Sequence, residues 1–116
     1  MQPKHHKKWH LLKGKLAESW TSIILTFKGY RVLCRNYKSY YGEIDIIAVR
    51  ANTLCAIEVK YRKSSENFLE AVSPQQQARI LNSLQFFANQ SRLRHHPTQL
   101  IIAYVSQYGK IKFSKW

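Results

Sequence analysis

Apolar residues recur at helical spacing in two segments of the chain. The first segment is closed by Lys28-Gly29, a pair typical of a helix C-terminus. The stripe that we expect this helix to bury comprises Leu12, Leu16, Trp20, Ile23, Ile24 and Phe27. The second segment follows Ser73-Pro74, which predicts an N-cap with proline at the first helical position. Its expected buried residues are Ile80, Leu81, Leu84, Phe87 and Ala88.

The segments rich in β-branched and aromatic residues predict strands. Three of them lie between the helices, and one or two follow the second helix; they are residues 30–36, 43–49, 53–61, 99–105 and, at an edge, 110–116. Residues 37–42 are expected to form a loop. The predicted order is therefore αβββαβ, with a further strand at the end. We expect a basic tail over residues 1–10 and a single domain over residues 11–116.

The second and third predicted strands place acidic residues among isoleucines and valines. If they form an antiparallel hairpin whose loop is Ala51-Asn52 or residues 50–53, Asp45 lies opposite Glu58 and Glu43 opposite Lys60. All four side chains would then share one face, and opposed Cβ atoms would be about 5 Å apart. A change of register by one residue would destroy this arrangement, so the prediction depends on a loop of even length.

A half-exposed hairpin with a polar outer face and a Glu43–Lys60 ion pair is the alternative. Strict alternation would, however, put Ile47 and Val49 on the acidic face, with Ile44, Ile46 and Ala48 on the other. Apolar residues on both faces indicate a central strand that is covered on both sides. Because two opposed carboxylates at a covered position repel each other, we expect a cation between them. Ligands that offer only oxygen favour Mg²⁺ or Mn²⁺.

The charge balance indicates a polyanionic partner. The chain has 19 Lys and Arg against 6 Asp and Glu, a formal charge of +13 that destabilises a small fold by self-repulsion. We favour nucleic acid over a membrane surface, because the first helix is the one strongly amphipathic basic helix and we expect the core to need its apolar face. No segment is apolar enough to span a bilayer. Cys34 and Cys55 lie in apolar segments and form no CxxC pair, and no secretion signal is evident. These features predict a cytoplasmic protein.

Four motifs in order resemble a known family. The segments "GKLAE", "GYRVLCRN", "GEIDIIA" and "EVKYR" are similar to those of the YraN-like family of small bacterial proteins, and the resemblance covers residues 14–88. Within them, Asp45, Glu58 and Lys60 match the D…(D/E)xK signature of the restriction-endonuclease-like nucleases. The resemblance implies an α/β fold with an αβββαβ core, in which a mixed central sheet is flanked by helices.

The resemblance also implies a role for each matched residue. Asp45 and Glu58 would hold Mg²⁺ or Mn²⁺, and Lys60 would orient or deprotonate the attacking water. Glu18 matches an acidic residue of related Holliday-junction resolvases, although a solvent-facing glutamate would show the same helical pattern. Glu43 would be an accessory acid. The family's basic residue early in the second helix is replaced here by "PQQQ", its glycine after the third strand is absent, and so is its aspartate in the following strand.

These features predict a metal-dependent nuclease that is structure-selective on DNA. The residues expected to bind nucleic acid flank the hairpin, and they are Arg35, Tyr37, Lys38, Tyr40, Tyr41, Arg62 and Lys63. The tyrosines would stack on an unpaired base or pack on the protein's own core. Two rival functions stay open, a nucleic-acid-binding module that no longer cleaves and an interaction protein for an acidic partner or ribosomal RNA. A cut in both strands would require a homodimer.

Overall fold

A computed structural model describes the backbone of residues 3–62 and 72–116, and the side chains of these from residue 14 onward. The elements are α1 (Pro3–Phe27), β1 (Arg31–Ser39), β2 (Gly42–Arg50), β3 (Thr53–Arg62), α2 (Pro74–Gln90), β4 (Thr98–Ser106) and β5 (Ile111–Lys115). Their order confirms the predicted one, including the last strand. Helix α1 begins at Pro3, so the segment predicted as a tail is helical from that residue.

The five strands form one mixed sheet in the order β1-β2-β3-β4-β5. Strands β3 and β4 are parallel, and every other neighbouring pair is antiparallel. Parallel neighbours need a crossover connection, which α2 supplies here. The sheet has a buried cluster on each side, one built with Ile80, Leu84 and Ala88 of α2 and the other with Leu25 of α1. This architecture confirms the predicted α/β class and is consistent with a restriction-endonuclease-like core.

The β2–β3 hairpin has the register that the sequence predicts. Five pairs run from Arg50 opposite Thr53 to Ile46 opposite Ile57. The loop is the two-residue turn Ala51-Asn52, with φ angles of 50° and 63°. Positive φ at both central residues is the signature of a type I′ turn, whose twist suits a hairpin. The loop therefore has the even length on which the pairing of the acidic residues depends.

The β1–β2 connection is shorter than predicted. Instead of a loop over residues 37–42, β1 continues to Ser39, and Ser39 pairs with Gly42. Only Tyr40 and Tyr41 form the turn. Of the residues that suggested a loop, Tyr37, Lys38 and Ser39 are therefore strand residues next to a tight turn.

The predicted buried face of α1 is wrong for most of its residues. The exposed fractions of Leu16, Trp20, Ile23 and Phe27 are 62%, 41%, 48% and 86%. The helix instead packs on the sheet through Ala17, Thr21 and Leu25. Ala17 and Thr21 are small enough to let the helix approach closely, and the Thr21 hydroxyl donates to the Ala17 carbonyl at 2.7 Å. Among the described residues, no helix is both long enough and apolar enough to cross a membrane.

The predicted start of α2 is confirmed. Ser73 is the N-cap, its Oγ accepts the Gln76 backbone N–H at 3.1 Å, and Pro74 opens the helix. This bond satisfies one of the N–H groups that a helix leaves unpaired at its start. Gln76 of this first turn lines a cavity together with Gly42 and Glu43, at the start of β2.

Candidate functional site

Strands β2 and β3 are held together by side chains at the point where their ladder of backbone pairs ends. Beyond the Ile46–Ile57 pair, Asp45 Oδ2 accepts the Val59 backbone N–H at 2.8 Å. The backbone N–H of Asp45 donates in turn to the Glu58 carboxylate. These two bonds place Asp45 and Glu58 side by side, as the register predicts.

The predicted alternation along β2 fails at Asp45. Ile44 packs in the α2-side cluster and Ile46 in the α1-side cluster, although residues two apart in a regular strand share a face. Ile47 also lies in the α2-side cluster, so Ile46 and Ile47 do alternate. Asn36 lies in β1 between the residues paired with Ile46 and Ile44, and its φ of 54° marks the same irregularity. The strand therefore turns about its axis at Asp45, and the acidic residues do not share the simple face that strict alternation predicts.

The Glu58 carboxyl is the most perturbed acid of the site. Burial raises its pKa to about 7, and the nearby Asp45 carboxylate acts in the same direction. The Asp45 backbone N–H and the Lys60 ammonium oppose this shift. Glu58 Oε1 is buried and has no hydrogen-bond partner in the described part of the chain. A buried carboxylate oxygen without a donor is costly unless a cation meets it.

Two more carboxyl groups share this electrostatic environment. Burial raises the pKa of Asp45, and the Val59 N–H and then Lys60 act against that rise, with Glu43 adding to it. Burial also raises the pKa of Glu18 on α1, followed by the effect of Asp45. Glu18 thus lies close enough to Asp45 for the Asp45 charge to raise its pKa. The family resemblance implies that Glu18 belongs to the same site.

Lys60 and Glu43 lie at the same end of the hairpin but do not form the predicted opposed pair. The β2–β3 ladder ends before it reaches Glu43. Glu43 pairs on the other side of β2, with Lys38 of β1. Lys60 lowers the pKa of both Asp45 and Glu58, so its ammonium group is near both carboxylates. It is therefore placed to offset negative charge between them.

The donor set suits a hard ion that keeps some of its waters. Within the described residues no group of three or more His, Cys, Asp or Glu side chains converges closely enough to hold a metal ion. A pair of carboxylates leaves most of the coordination sphere to water and phosphate oxygens, as Mg²⁺ prefers. Structural zinc sites instead use four protein ligands, usually Cys and His. The free Oε1 of Glu58 is the ligand atom that such an ion would take.

A cavity of about 170 Å³ opens beside Glu58, between the β1–β2 turn and the start of α2. It is lined by Tyr41, Gly42, Glu43, Glu58, Gln76, Arg79 and Ile80. The sequence did not single out Arg79, because the family's basic residue is expected in the first turn of α2. Its spacing of three from Gln76 puts both on one helix face, which could have revealed it. Arg79 thus supplies a cation to the site where "PQQQ" lacks one.

The three candidate tyrosines have different environments. Tyr37 packs edge-on against Phe87, with ring centroids 5.2 Å apart, and belongs to the core surroundings. Its hydroxyl donates to Gln90 Oε1 at 3.4 Å. Tyr40 is 97% exposed and Tyr41 is 40% exposed. Tyr37 therefore follows the core-packing alternative, whereas Tyr40 and Tyr41 present their rings to solvent.

The four basic candidates are spread around the hairpin. Arg35 donates to Ser19 Oγ at 3.1 Å and lowers the pKa of Glu18. Lys38 is exposed beside Glu43. Arg62 donates to the Tyr61 carbonyl at 2.8 Å, and Lys63 lies outside the described residues. Of these four candidates, Arg35 and Lys38 are the exposed cations that lie next to the acidic residues.

Comparison with known proteins places the chain among bacterial relatives of one family. It is 44% identical over 72 residues to a UPF0102 protein of Bradyrhizobium diazoefficiens, which covers 62% of this chain and 54% of that protein. It is 37% identical over 99 residues to a UPF0102 protein of Syntrophus aciditrophicus, covering 84% and 78% of the two chains. The first relatives extend beyond the match, since the chain spans only 54% and 61% of two of them.

The family model described as "Uncharacterised protein family UPF0102" matches residues 17–105, which is most of the chain and all of the acidic cluster. This match confirms the resemblance to the YraN-like proteins that the four motifs predict. The chain belongs to family UPF0102, the YraN family, whose fold is restriction-endonuclease-like.

Proposed function

We propose that this protein is a divalent-metal-dependent nuclease that hydrolyses phosphodiester bonds and is structure-selective on DNA. One observation carries the proposal: the four acidic residues of the described segments lie close together, each coupled electrostatically to at least one other. They are Glu18 of α1 and Glu43, Asp45 and Glu58 of the β2–β3 hairpin. They do so in a chain with a formal charge of +13. Concentrating scarce carboxylates against their mutual repulsion is unfavourable without a cation, and a metal ion supplies one.

The charge distribution supports a nucleic-acid substrate. A basic surface attracts the phosphate backbone, while the acidic cluster binds a cation that a phosphate oxygen can share. Arg35 and Lys38 lie next to the cluster and would position the backbone rather than select a base sequence. The protein would therefore select its substrate by shape.

Each residue of the site has a distinct task in this proposal. Asp45 and Glu58 would hold the ion, which when bound polarises the scissile phosphate and lowers the pKa of a water molecule. Lys60 would stabilise the negative charge that develops on the phosphate and orient the attacking water. Glu18 and Glu43 would accept hydrogen bonds from waters around the ion. Asp45 is held in place by the Val59 N–H, so its carboxylate is fixed before substrate binds.

The deciding experiment is a cleavage assay on branched, single-stranded and duplex DNA with Mg²⁺, Mn²⁺ or EDTA. We expect cleavage with either metal and none with EDTA or with Asp45→Asn. Lys60→Ala should slow cleavage strongly, whereas Lys110→Ala should not, although it removes the same charge from an exposed position in the β4–β5 turn. Salt-sensitive binding without cleavage under any metal would overturn the proposal in favour of a silent binding module.

A further inference from the structure

Three exposed aromatic rings form a continuous row, and the middle ring lines the cavity beside Glu58. Tyr40 contacts Tyr41 edge-on with centroids 5.6 Å apart, and Tyr41 contacts Phe86 of α2 at 6.2 Å. The exposed fractions of the three residues are 97%, 40% and 41%. We call this set, Tyr40, Tyr41 and Phe86, the aromatic row. The exposed parts of these neighbouring rings are available to a planar ligand.

The aromatic row is held in a fixed position relative to α2. Ser39, the last residue of β1, accepts the Tyr41 backbone N–H at 3.1 Å and donates to the Gly42 carbonyl at 3.3 Å. Its Oγ also lies 2.8 Å from the hydroxyl of Ser83, which is fully buried on α2. These bonds tie the tip of the hairpin to the helix. The backbone that carries Tyr40 and Tyr41 is therefore pre-organised, so that ordering this turn costs little conformational entropy when a ligand stacks on the rings.

The aromatic row and the acidic site share residues of one cavity. Tyr41 and Glu58 both line it, and Arg79 lines it from α2. The Arg79 side chain crosses close to Gly42, since a Cβ atom at Gly42 would lie 4.0 Å from Arg79 Cδ. A phosphate in this cavity would thus have the Arg79 guanidinium group and Glu58, one of the two proposed metal ligands, among its neighbours.

A base inside a duplex is stacked on both faces and is not available to a protein ring, whereas an unpaired base is. We propose that the substrate presents an unpaired nucleotide next to the scissile phosphate. The base of this nucleotide stacks on the aromatic row, and Arg79 binds the adjoining phosphate. This inference rests on the proposed nuclease function for the position of the scissile phosphate. It assigns the site to strands with a flap, a bulge or a single-stranded segment.

Binding in EDTA tests this inference without cleavage. The probes are a fluorescent single-stranded DNA, the same strand in a perfect duplex, and the duplex carrying a short unpaired flap. We expect Tyr40→Ala and Phe86→Ala each to weaken binding to the single strand and the flap by about tenfold or more, and to leave duplex binding unchanged. Arg79→Ala should weaken binding to all three, because it contacts phosphate.

Tyr108→Ala is the matched control, because Tyr108 is 88% exposed but lies in the β4–β5 turn, away from the aromatic row. It should bind all three probes as the unaltered protein does. Equal weakening of duplex and single-strand binding by Tyr40→Ala, or no weakening of either, would overturn the inference and leave a metal-dependent cleavage activity untouched. Conversely, single-strand binding that depends on Tyr40 without any cleavage would refute the nuclease function and keep the aromatic row as a binding site.

Discussion

At the scale of single residues, Glu58 couples the protonation of the site to the stability of the fold. Its pKa is about 7 in the folded chain against an ordinary value of 4.5. The folded state therefore binds the proton more tightly than the unfolded state does. The resulting contribution to stability is complete below pH 4.5 and is lost as the pH rises through about 7.

We therefore expect the metal-free protein to lose up to about 3 kcal/mol of unfolding free energy between acidic and neutral pH through this group. Urea denaturation at a series of pH values with EDTA present measures the loss. Glu58→Gln should flatten the profile, since its amide cannot ionise. Glu43→Gln, which changes an exposed acid of the same cluster, should keep most of the slope. A Glu58→Gln profile as steep as that of the unaltered protein would show that burial of this carboxyl is not the cause.

The same ionisation predicts how metal ions stabilise the fold. Mg²⁺ or Mn²⁺ should raise the melting temperature more at pH 8 than at pH 5, because the ion competes with the proton for Glu58. Differential scanning fluorimetry with and without metal at both pH values checks this. An equal rise at both pH values, or one retained by Asp45→Asn, would place the ion elsewhere.

At the scale of elements, the β2–β3 turn contains a residue with backbone strain that a substitution can relieve. Ala51 has a φ of 50°, which side chains with a Cβ adopt at a cost, and its exposed side chain leaves room for change. Ala51→Gly should stabilise the fold by about 0.5–1 kcal/mol. Ala78→Gly, at an exposed position inside α2, should destabilise it by a similar amount. Equal destabilisation by both substitutions, measured by urea denaturation, would contradict the type I′ geometry.

Helix α1 yields a second test at this scale. Leu25 is 1% exposed and Phe27 is 86% exposed, although both belong to an apolar helix end. Leu25→Ala should cost about 2–5 kcal/mol of stability, whereas Phe27→Ala should change it by less than about 0.5 kcal/mol. The reverse order in thermal denaturation would mean that α1 packs through its larger apolar residues, as its spacing alone predicts.

These elements also show which features of the structure the sequence could reveal. The register of the β2–β3 hairpin was predictable, because a loop of two or of four residues gives the same pairing and brings Asp45 near Glu58. The face on which α1 packs was not predictable from the sequence. Leu16, Trp20, Ile23 and Phe27 form an apolar stripe, but this spacing does not show whether the stripe faces the sheet or solvent. Ala17 and Thr21 face the sheet because they are small and allow close approach. The turn of β2 about its axis at Asp45 was not predictable either, because a strand pattern in sequence indicates regular alternation.

At the scale of the whole molecule, the excess of positive charge should dominate the energetics of binding. The chain has 19 Lys and Arg residues, and every phosphate that such residues neutralise on a nucleic acid releases counterions. If six to ten phosphates are contacted, affinity for DNA should fall by about 10³- to 10⁵-fold between about 50 and about 200 mM salt. Fluorescence anisotropy at a series of salt concentrations measures the slope. An affinity that does not depend on salt would argue against a nucleic-acid partner.

The contact between Asp45 and the Val59 N–H has a consequence for any form of this protein that has lost the proposed nuclease activity. Its Oδ2 caps the Val59 N–H where the two strands separate, so the side chain maintains the backbone as well as the site. Alanine at this position would leave the Val59 N–H without its acceptor, so that a loss of activity could not be separated from a loss of stability. Asparagine keeps an oxygen for Val59 and removes only the charge. A paralogue that has become inert but still folds is therefore expected to carry asparagine at this position, and such a substitution in a genome would mark the loss of the reaction.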